Sequence, residues 1–338
     1  MENQIIVSVC IVVYNHEKYL SQAIDSVIEQ KTDFRFEIII GDDCSTDDSQ
    51  EIIRKYAEMY PNIIPVLREK NIGAPHNEFD LAIRAKGKYI AWLEGDDYWT
   101  DKDKLQKQVD FLEQHKEFFS IASMSKIVDE NNRSLPCNHY DSDEIITLHN
   151  YNKIEMPNIG SYTFHNFFIS ESERNHLAKI YFSHSIITDW TLYLFFLDKS
   201  DIYVMNPPMH CYRKVLRKDS DNFNSIYRLK KNRYDVIVER MEYEQALNQF
   251  DWKRLNIHYK MQTKAAELWF QIIIDRNKKS REYGKKIYKE KFRKSLTRFE
   301  RFLVPYKVFS FLMYHLRIKI RQLFLRLVTN NETNSIVK

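Results

Sequence analysis

The sequence predicts an α/β fold, a mostly parallel sheet with flanking helices, followed by a helical C-terminal extension. Three observations carry this. β-branched apolar runs alternate with segments of helical periodicity, and successive runs begin about 25–30 residues apart, the length of one strand–helix unit. From about residue 223 the alternation stops and only helical spacing remains.

IIVSVCIVV (5–13) is an unbroken run of the kind shown by a strand buried on both faces. Leu20, Ile24, Val27 and Ile28 follow at helical spacing. FEIII (36–40) repeats the strand, and Ile52, Ile53 and Tyr56 repeat the helix. NIIPVL (62–67) is the third strand, before a segment carrying Phe79, Ala82 and Ile83. YIAWL (89–93) is the fourth, and Leu105, Val109 and Leu112 then share one helical face. Beyond residue 223, RLKKNRYDVIVERMEYEQALNQF and YKMQTKAAELWFQIIIDRNKK read as helices. A last segment carries an apolar seam of Phe309, Leu312, Met313, Leu316, Ile320, Leu323 and Leu327. The expected division is 1–220 for the α/β domain and 221–338 for the helical region with its basic amphipathic tail.

The net charge of +4 conceals an asymmetry: residues 1–110 hold 21 acids against 13 bases, and residues 285–328 hold 13 bases against 2 acids. The acidic end excludes a nucleic-acid partner for the α/β domain, and no nucleic-acid-binding motif occurs. The basic seam fits a helix packed on its own domain, a partner helix or an anionic membrane surface. Four cysteines lack metal or redox spacing, and Cys10 lies inside the first strand run as a core thiol. The N-terminus lacks the basic start and cleavage site of a signal peptide, and no stretch reaches the ~18 apolar residues of a membrane span. The expected location is the cytoplasm, with peripheral attachment to the inner face of the membrane.

In parallel sheets ligands sit beyond the carboxyl ends of the strands. Those ends are Tyr14-Asn15, Gly41-Asp42-Asp43, the segment after Leu67, and Glu94-Gly95-Asp96-Asp97. The chain has only six glycines, with no GxGxxG and no GxxxxGK[ST], so a glycine cradle for phosphates is missing. Asp48 with Glu51 reads as a capping box, Asp101 as a helix cap, and Asp103 as a first-turn acid complementing the helix dipole. None of these roles fits Asp42, Asp43, Asp96 or Asp97, which come too early. Hard oxygen donors in small number describe a Mg²⁺ or Mn²⁺ site able to offset a diphosphate. Asp189, ahead of a strongly apolar helix, reads equally as an N-cap or as a proton acceptor.

The blocks VSVCIVVYNHEKYLSQAIDSVIEQ, EIIIGDDCSTDDSQEII and NIGAPHNEFDLAIRAKGKYIAWLEGDDYWTDKDKLQKQVDFLE together resemble the inverting family 2 glycosyltransferases of the GT-A fold. The likeness is greatest to bacterial members that build surface polysaccharides; it is dense over about 5–115 and thinner to about 215. It implies a nucleoside diphosphate sugar donor, UDP-linked by analogy, and a glycan or lipid-linked acceptor. By resemblance Tyr14 packs on the nucleobase and Asp43 accepts a hydrogen bond from it. Asp96 lies near the ribose and, with Asp97, at the Mn²⁺ or Mg²⁺ ion; Glu94 takes the outer position of the same motif. The resemblance also makes Asp189 the catalytic base and Arg213, in the Tyr-Arg segment, a donor contact. Many relatives carry a histidine two residues beyond that arginine, where Val215 stands here; His210 or neighbouring bases are the available substitutes. Two other classes use similar acids: a nucleotidyltransferase acting on sugar phosphates, and a non-catalytic sugar-nucleotide or glycan binding module.

Overall fold

The computed structural model describes residues 4–137, 140–151, 154–184, 189–215, 232–255 and 261–313, less 294–295, 299–300, 302–303, 306 and 311–312. The chain divides into two compact units, Met1–Asn224 with Phe250–Asn256, and Ser225–Gln249 with Ile257–Lys338.

In the first unit four strands, β1 (Ile5–Val13), β2 (Arg35–Asp42), β3 (Ile63–Leu67) and β4 (Tyr89–Glu94), alternate with α1 (Leu20–Ile28), α2 (Ser49–Met59) and α3 (Ala74–Arg84). Then come β5 (Tyr98–Trp99), α4 (Lys104–Gln114), β6 (Ser120–Val128), β7 (Ser134–Leu135), β8 (Glu144–Ile146) and β9 (Thr163–His165). Helices α5 (Glu171–Tyr181) and α6 (Asp189–Lys199) and the long strand β10 (Ile202–Arg213) complete the unit. One sheet runs β3-β2-β1-β4-β9-β6-β10-β5, with β7 on β6 and β8 on β10. The pairs among β1–β4 are parallel, as is β6 with β10, while β9 is antiparallel to both neighbours. The fold is therefore the expected mostly parallel α/β sheet with flanking helices.

Alternation along each strand sorts its side chains onto two faces. Val7, Val9, Ile11, Ile38, Ile40, Tyr89, Ala91 and Leu93 bury against α1, α2 and α4 on one face. Cys10, Val12, Ile39, Ile90 and Trp92 bury on the other, with Leu81, Tyr162, Phe164, Tyr193 and Phe196. Pro65 is tolerated because β3 is the edge strand. Register places Val13 beside Asp42, Asp42 beside Leu67 and Val12 beside Glu94, so the strands end together on one rim.

Two expected caps are made differently. Asp48 occupies the N-cap position of α2 without a side-chain cap bond. Asp47 substitutes, accepting from Ser49 N at 3.0 Å and from Glu17 N at 3.0 Å. Its carboxylate ties the turn after β1 to that after β2, a bond between loops that no local capping rule contains. Likewise Asp101 accepts from Asp103 N at 2.8 Å, and Asp103 itself is the N-cap residue of α4.

The second unit contains α7 (Arg233–Leu247), α8 (Met261–Ile274), α9 (Lys278–Ile287) and a π-helical turn at Tyr288–Phe292. Tyr234, Ile237, Met241, Leu268, Ile272 and Phe292 form its core. Of the apolar seam, Phe309 and Met313 are exposed, and Leu312, Leu316, Ile320, Leu323 and Leu327 lie outside the described residues. No helix among the described residues is long and apolar enough to cross a membrane.

Candidate active site

The rim of the parallel strands is held open by side chain-to-backbone bonds. Asn15 adopts a left-handed φ of 56° and accepts from Thr46 N at 2.8 Å. Asp42, fully buried, accepts from Ser45 N at 2.9 Å and Gln50 Nε2 at 2.7 Å. Asp43 accepts from Ile72 N and Gly73 N, each at 2.8 Å, one per carboxylate oxygen. A lone pair remains on each oxygen, and Asp43 fixes the turn into α3, where Gly73 supplies a φ of 86°. Tyr14 stands exposed on the same rim.

After β4 the chain turns tightly, Asp97 N donating to Glu94 O at 3.0 Å. This turn lets Glu94 and Asp97 face one volume. There they meet His210 of β10, the ligand-capable atoms of the three lying within 4.8 Å of one another. Asp97 is 1% and His210 0% exposed. Asp97 Oδ1 accepts from Arg213 N at 2.7 Å, while Asp97 Oδ2, Glu94 Oε2 and His210 Nε2 have no hydrogen-bond partner. His210 Nε2 approaches Asp97 Oδ2 to 3.2 Å without hydrogen-bond alignment. His210 Nδ1 is 2.9 Å from Ser125 Oγ. With Nδ1–H donated to that hydroxyl, a lone pair is left on Nε2, the arrangement of a metal-ligating histidine.

Electrostatics say the same. Burial, then the fields of Asp189 and Asp96, push Glu94 well above the usual carboxylate range. Burial, then Asp96 and Glu94, push Asp97 up as well, against the Arg213 amide. Burial, reinforced by Lys104, lowers His210 to about 3 and keeps its ring neutral. A half-buried and a buried acid with a neutral imidazole, each with an orphaned lone pair, fit a divalent cation. Space is kept for one at Gly160, where a Cβ would lie 2.5 Å from His210 Nε2 and 2.8 Å from Glu94 Oε2. Asp96 stays outside this cluster, its Oδ1 3.9 Å from His16 Nε2.

Arg213 is 2% exposed and its guanidinium is committed to protein. It donates to Asp96 O at 2.8 Å, Asn132 Oδ1 at 2.7 Å and Gln22 Oε1 at 2.9 Å, and lies over the Tyr19 ring at 4.3 Å. With its amide on Asp97, Arg213 clamps the acidic turn to β10.

Asp189 is the first residue of α6, exposed at that position, although protein packed around its carboxyl raises its pKa. Its field reaches Glu94, Glu78 and Tyr193. Burial pushes Glu78 up to about 8, against a hydrogen bond from the Tyr181 hydroxyl. Sequence reading missed Glu78, and also two buried donors without partners, Trp92 Nε1 and Tyr162 OH. Trp92 was findable, since it shares a face of β4 with Glu94 by strand alternation. Tyr162, brought beside it by β9, carried no local signal.

Behind the cluster lies Lys104, with no exposure at all. Its Nζ donates to Gln108 Oε1 at 2.8 Å and sits 4.2 Å from the Trp99 ring centre. Gln108 Nε2 donates to Ser161 O and Trp99 Nε1 to Gly160 O, so this layer supports the Gly160 turn. Burial lowers the amine to about 7 against the opposing field of Asp101. Between about pH 7 and 10.5 the unfolded chain holds this proton and the folded chain does not, so stability rises with pH across that window. Below it the whole cost of burying the charge is present, several kcal/mol at about 1.4 kcal/mol per pH unit. Lys104→Met is therefore expected to be more stable than wild type at pH 6, with a margin that narrows by about 3 kcal/mol by pH 9. Denaturant midpoints at the two pH values test this, and a margin independent of pH would refute it.

A rim of parallel strand ends carrying an acidic turn, with a helix-borne carboxylate nearby, is the arrangement of a GT-A glycosyltransferase. Residues 8–174 match the family Glycosyl transferase family 2, and the chain belongs to that family through this domain. An uncharacterized protein of Mycobacterium tuberculosis (strain H37Rv) is 47% identical over 111 residues, 32% of each chain. The putative teichuronic acid biosynthesis glycosyltransferase TuaG of Bacillus subtilis is 38% identical over 120 residues, 36% of this chain and 47% of that protein. The matched stretches thus span less than half the length of these relatives. The crystal structure of S. aureus TarS 1–349 in complex with UDP-GlcNAc shares the fold. Its TM-score is 0.56 at 21% identity, covering 80% of this chain and 74% of that one.

Proposed function

We propose that the protein is an inverting, Mn²⁺- or Mg²⁺-dependent glycosyltransferase that moves a sugar from a UDP-linked donor to a hydroxyl of a glycan or lipid-linked acceptor. The pathway is surface polysaccharide synthesis. The observation that carries this is the set of buried, unpartnered atoms of Glu94, Asp97 and His210 at the strand ends, within the electrostatic reach of Asp189. The matching relatives point the same way: TuaG is named for teichuronic acid biosynthesis, and TarS was solved with UDP-GlcNAc.

In this reading Glu94, Asp97 and His210 would hold the cation, which would offset the charge of the departing diphosphate. The imidazole in the set favours Mn²⁺ over Mg²⁺. Tyr14 stacks on the base, Asp43 receives a hydrogen bond from it on a free lone pair, and Asp96 faces the ribose. Arg213 serves the donor indirectly, by fixing the turn that carries Asp96 and Asp97. Asp189 takes the proton of the acceptor hydroxyl as its oxygen attacks the anomeric carbon opposite the leaving group. Asp189's raised pKa makes it a stronger base than an ordinary aspartate. The basic C-terminal segment would hold the enzyme at the cytoplasmic membrane face, near a lipid-linked acceptor.

The test is release of free nucleoside diphosphate from UDP-, GDP- and dTDP-sugars, with Mn²⁺ and with EDTA. Metal-dependent UDP release is expected. Pyrophosphate release from a nucleoside triphosphate and a sugar phosphate would instead identify a nucleotidyltransferase, and no turnover of any donor a binding module.

A further inference from the structure

The second unit carries a groove of about 450 Å³ lined by Trp269, Lys285, Tyr288, Lys289, Arg293 and Arg301. Four bases border one space, and among the described residues little neutralises them. Lys285 pairs with Glu282 at 2.8 Å. Arg301 Nε donates to Leu296 O at 3.0 Å, which leaves its terminal nitrogens uncommitted to that bond. Lys289 and Arg293 have no acidic partner among the described residues, whereas Lys291, off the groove, is paired with Glu242 at 3.3 Å. Like charges around one space repel, weakly where solvent screens them, and an anion among them relieves the repulsion.

The backbone aligns these bases. In an α-helix a step of four residues overshoots a full turn by about 40°, so a row at 285, 289 and 293 would drift around the axis. The wider π turn at Tyr288–Phe292, closed by Arg293 N to Tyr288 O at 2.9 Å, takes that drift back. Phe292, fully buried, anchors the turn in the core. Trp269 and Tyr288 meet edge to face at 5.1 Å and add an aromatic wall.

We propose that this groove binds a phosphate ester, its charge held by Lys289, Arg293 and Arg301 and its organic part against Trp269 and Tyr288. Arginine forks match phosphate oxygens in pairs, and indole and phenol faces accept acyl or sugar C–H surface. The site lies wholly in the second unit and does not depend on how the strand-end site is read.

The test uses the full chain in EDTA, which disables a cation-dependent phosphate site at the strand ends. Two probes are titrated calorimetrically: inorganic phosphate, and dihexanoyl phosphatidylglycerol below its micelle concentration. Saturable binding of at least one is expected. Lys289→Glu with Arg293→Glu should weaken it by about tenfold or more. Lys279→Glu with Lys286→Glu, the same charge change at exposed positions off the groove, should leave it intact. Binding of phosphate as tightly as lipid identifies a small phosphate as the ligand, and binding of the lipid alone a headgroup with its chains. Binding of neither probe, or equal loss in both variants, overturns the proposal. Should the first variant fail to match wild type by circular dichroism, Lys289→Gln with Arg293→Gln decides by the same criterion.

Discussion

Replacing Asp97 by alanine is expected to abolish sugar transfer and, with it, stabilisation of the protein by Mn²⁺. In wild type, a cation bound by Glu94, Asp97 and His210 favours the folded state by mass action, about 2.7 kcal/mol at a hundredfold excess over Kd. That gain should appear as a raised Tm. Asp97→Ala removes one of three protein ligands, and Mn²⁺ should then leave Tm unchanged. Without metal the variant should remain folded, because two effects oppose each other. The Arg213 amide loses its acceptor, at about 1–3 kcal/mol, while a buried acid repelled by Glu94 is removed. His210→Ala should also lose the Mn²⁺ response, whereas Asp96→Ala should keep it, since Asp96 lies outside the cluster. Full turnover in EDTA, or an unchanged Mn²⁺ shift in Asp97→Ala, would remove the cation from the mechanism.

Asp189→Asn is expected to lower transfer by about 10²–10⁴, the usual range of a general base, with donor affinity close to wild type. Asparagine keeps the size and the first-turn position but cannot accept the proton. The change also removes a negative charge whose field reaches Glu94, so Mn²⁺ binding should hold or weaken slightly. Separating donor affinity from turnover distinguishes a base from a structural residue, which would disturb both. Transfer within a few-fold of wild type would make Asp189 an ordinary helix start.

The parts of this architecture legible in the sequence are those specified by contiguous residues. The runs at 5–13, 36–40 and 89–93 announced β1, β2 and β4 because strands buried on both faces allow no polar alternation. The acids after β4 stood out because no capping role explained Asp96 or Asp97. The second half of the sheet was illegible for the opposite reason. Strand β9 has three residues and β10 shifts register between Met205 and His210, so neither shows a clean period. His210 was visible only as a substitute for a histidine absent at Val215. Its partnership with Asp97 and Glu94 arises from β10 pairing with β5 and β6, a long-range event. Arg213 was noticed for its position and expected at the donor, and the structure shows its guanidinium engaged by Asp96 O, Asn132 and Gln22. Local capping rules point to Asp48 and Asp101, whereas the turn before α2 uses Asp47, whose bond from Glu17 N spans two loops, and Asp103 takes the N-cap position of α4.

The match to the family ends at residue 174, but β10 is the strand that finishes the sheet. It supplies both the imidazole facing Asp97 and the arginine that pins the acidic turn. A nascent chain therefore exposes Glu94, Asp96 and Asp97 roughly 115 residues before their restraints emerge. During that interval Asp97 lacks both the Arg213 amide that fixes it and the imidazole that completes the proposed cation set. Under the proposed cation role, tight metal capture would be an event of late assembly. Loading would then wait on the strand that closes the sheet, so the order of the chain itself would set the order of metal uptake.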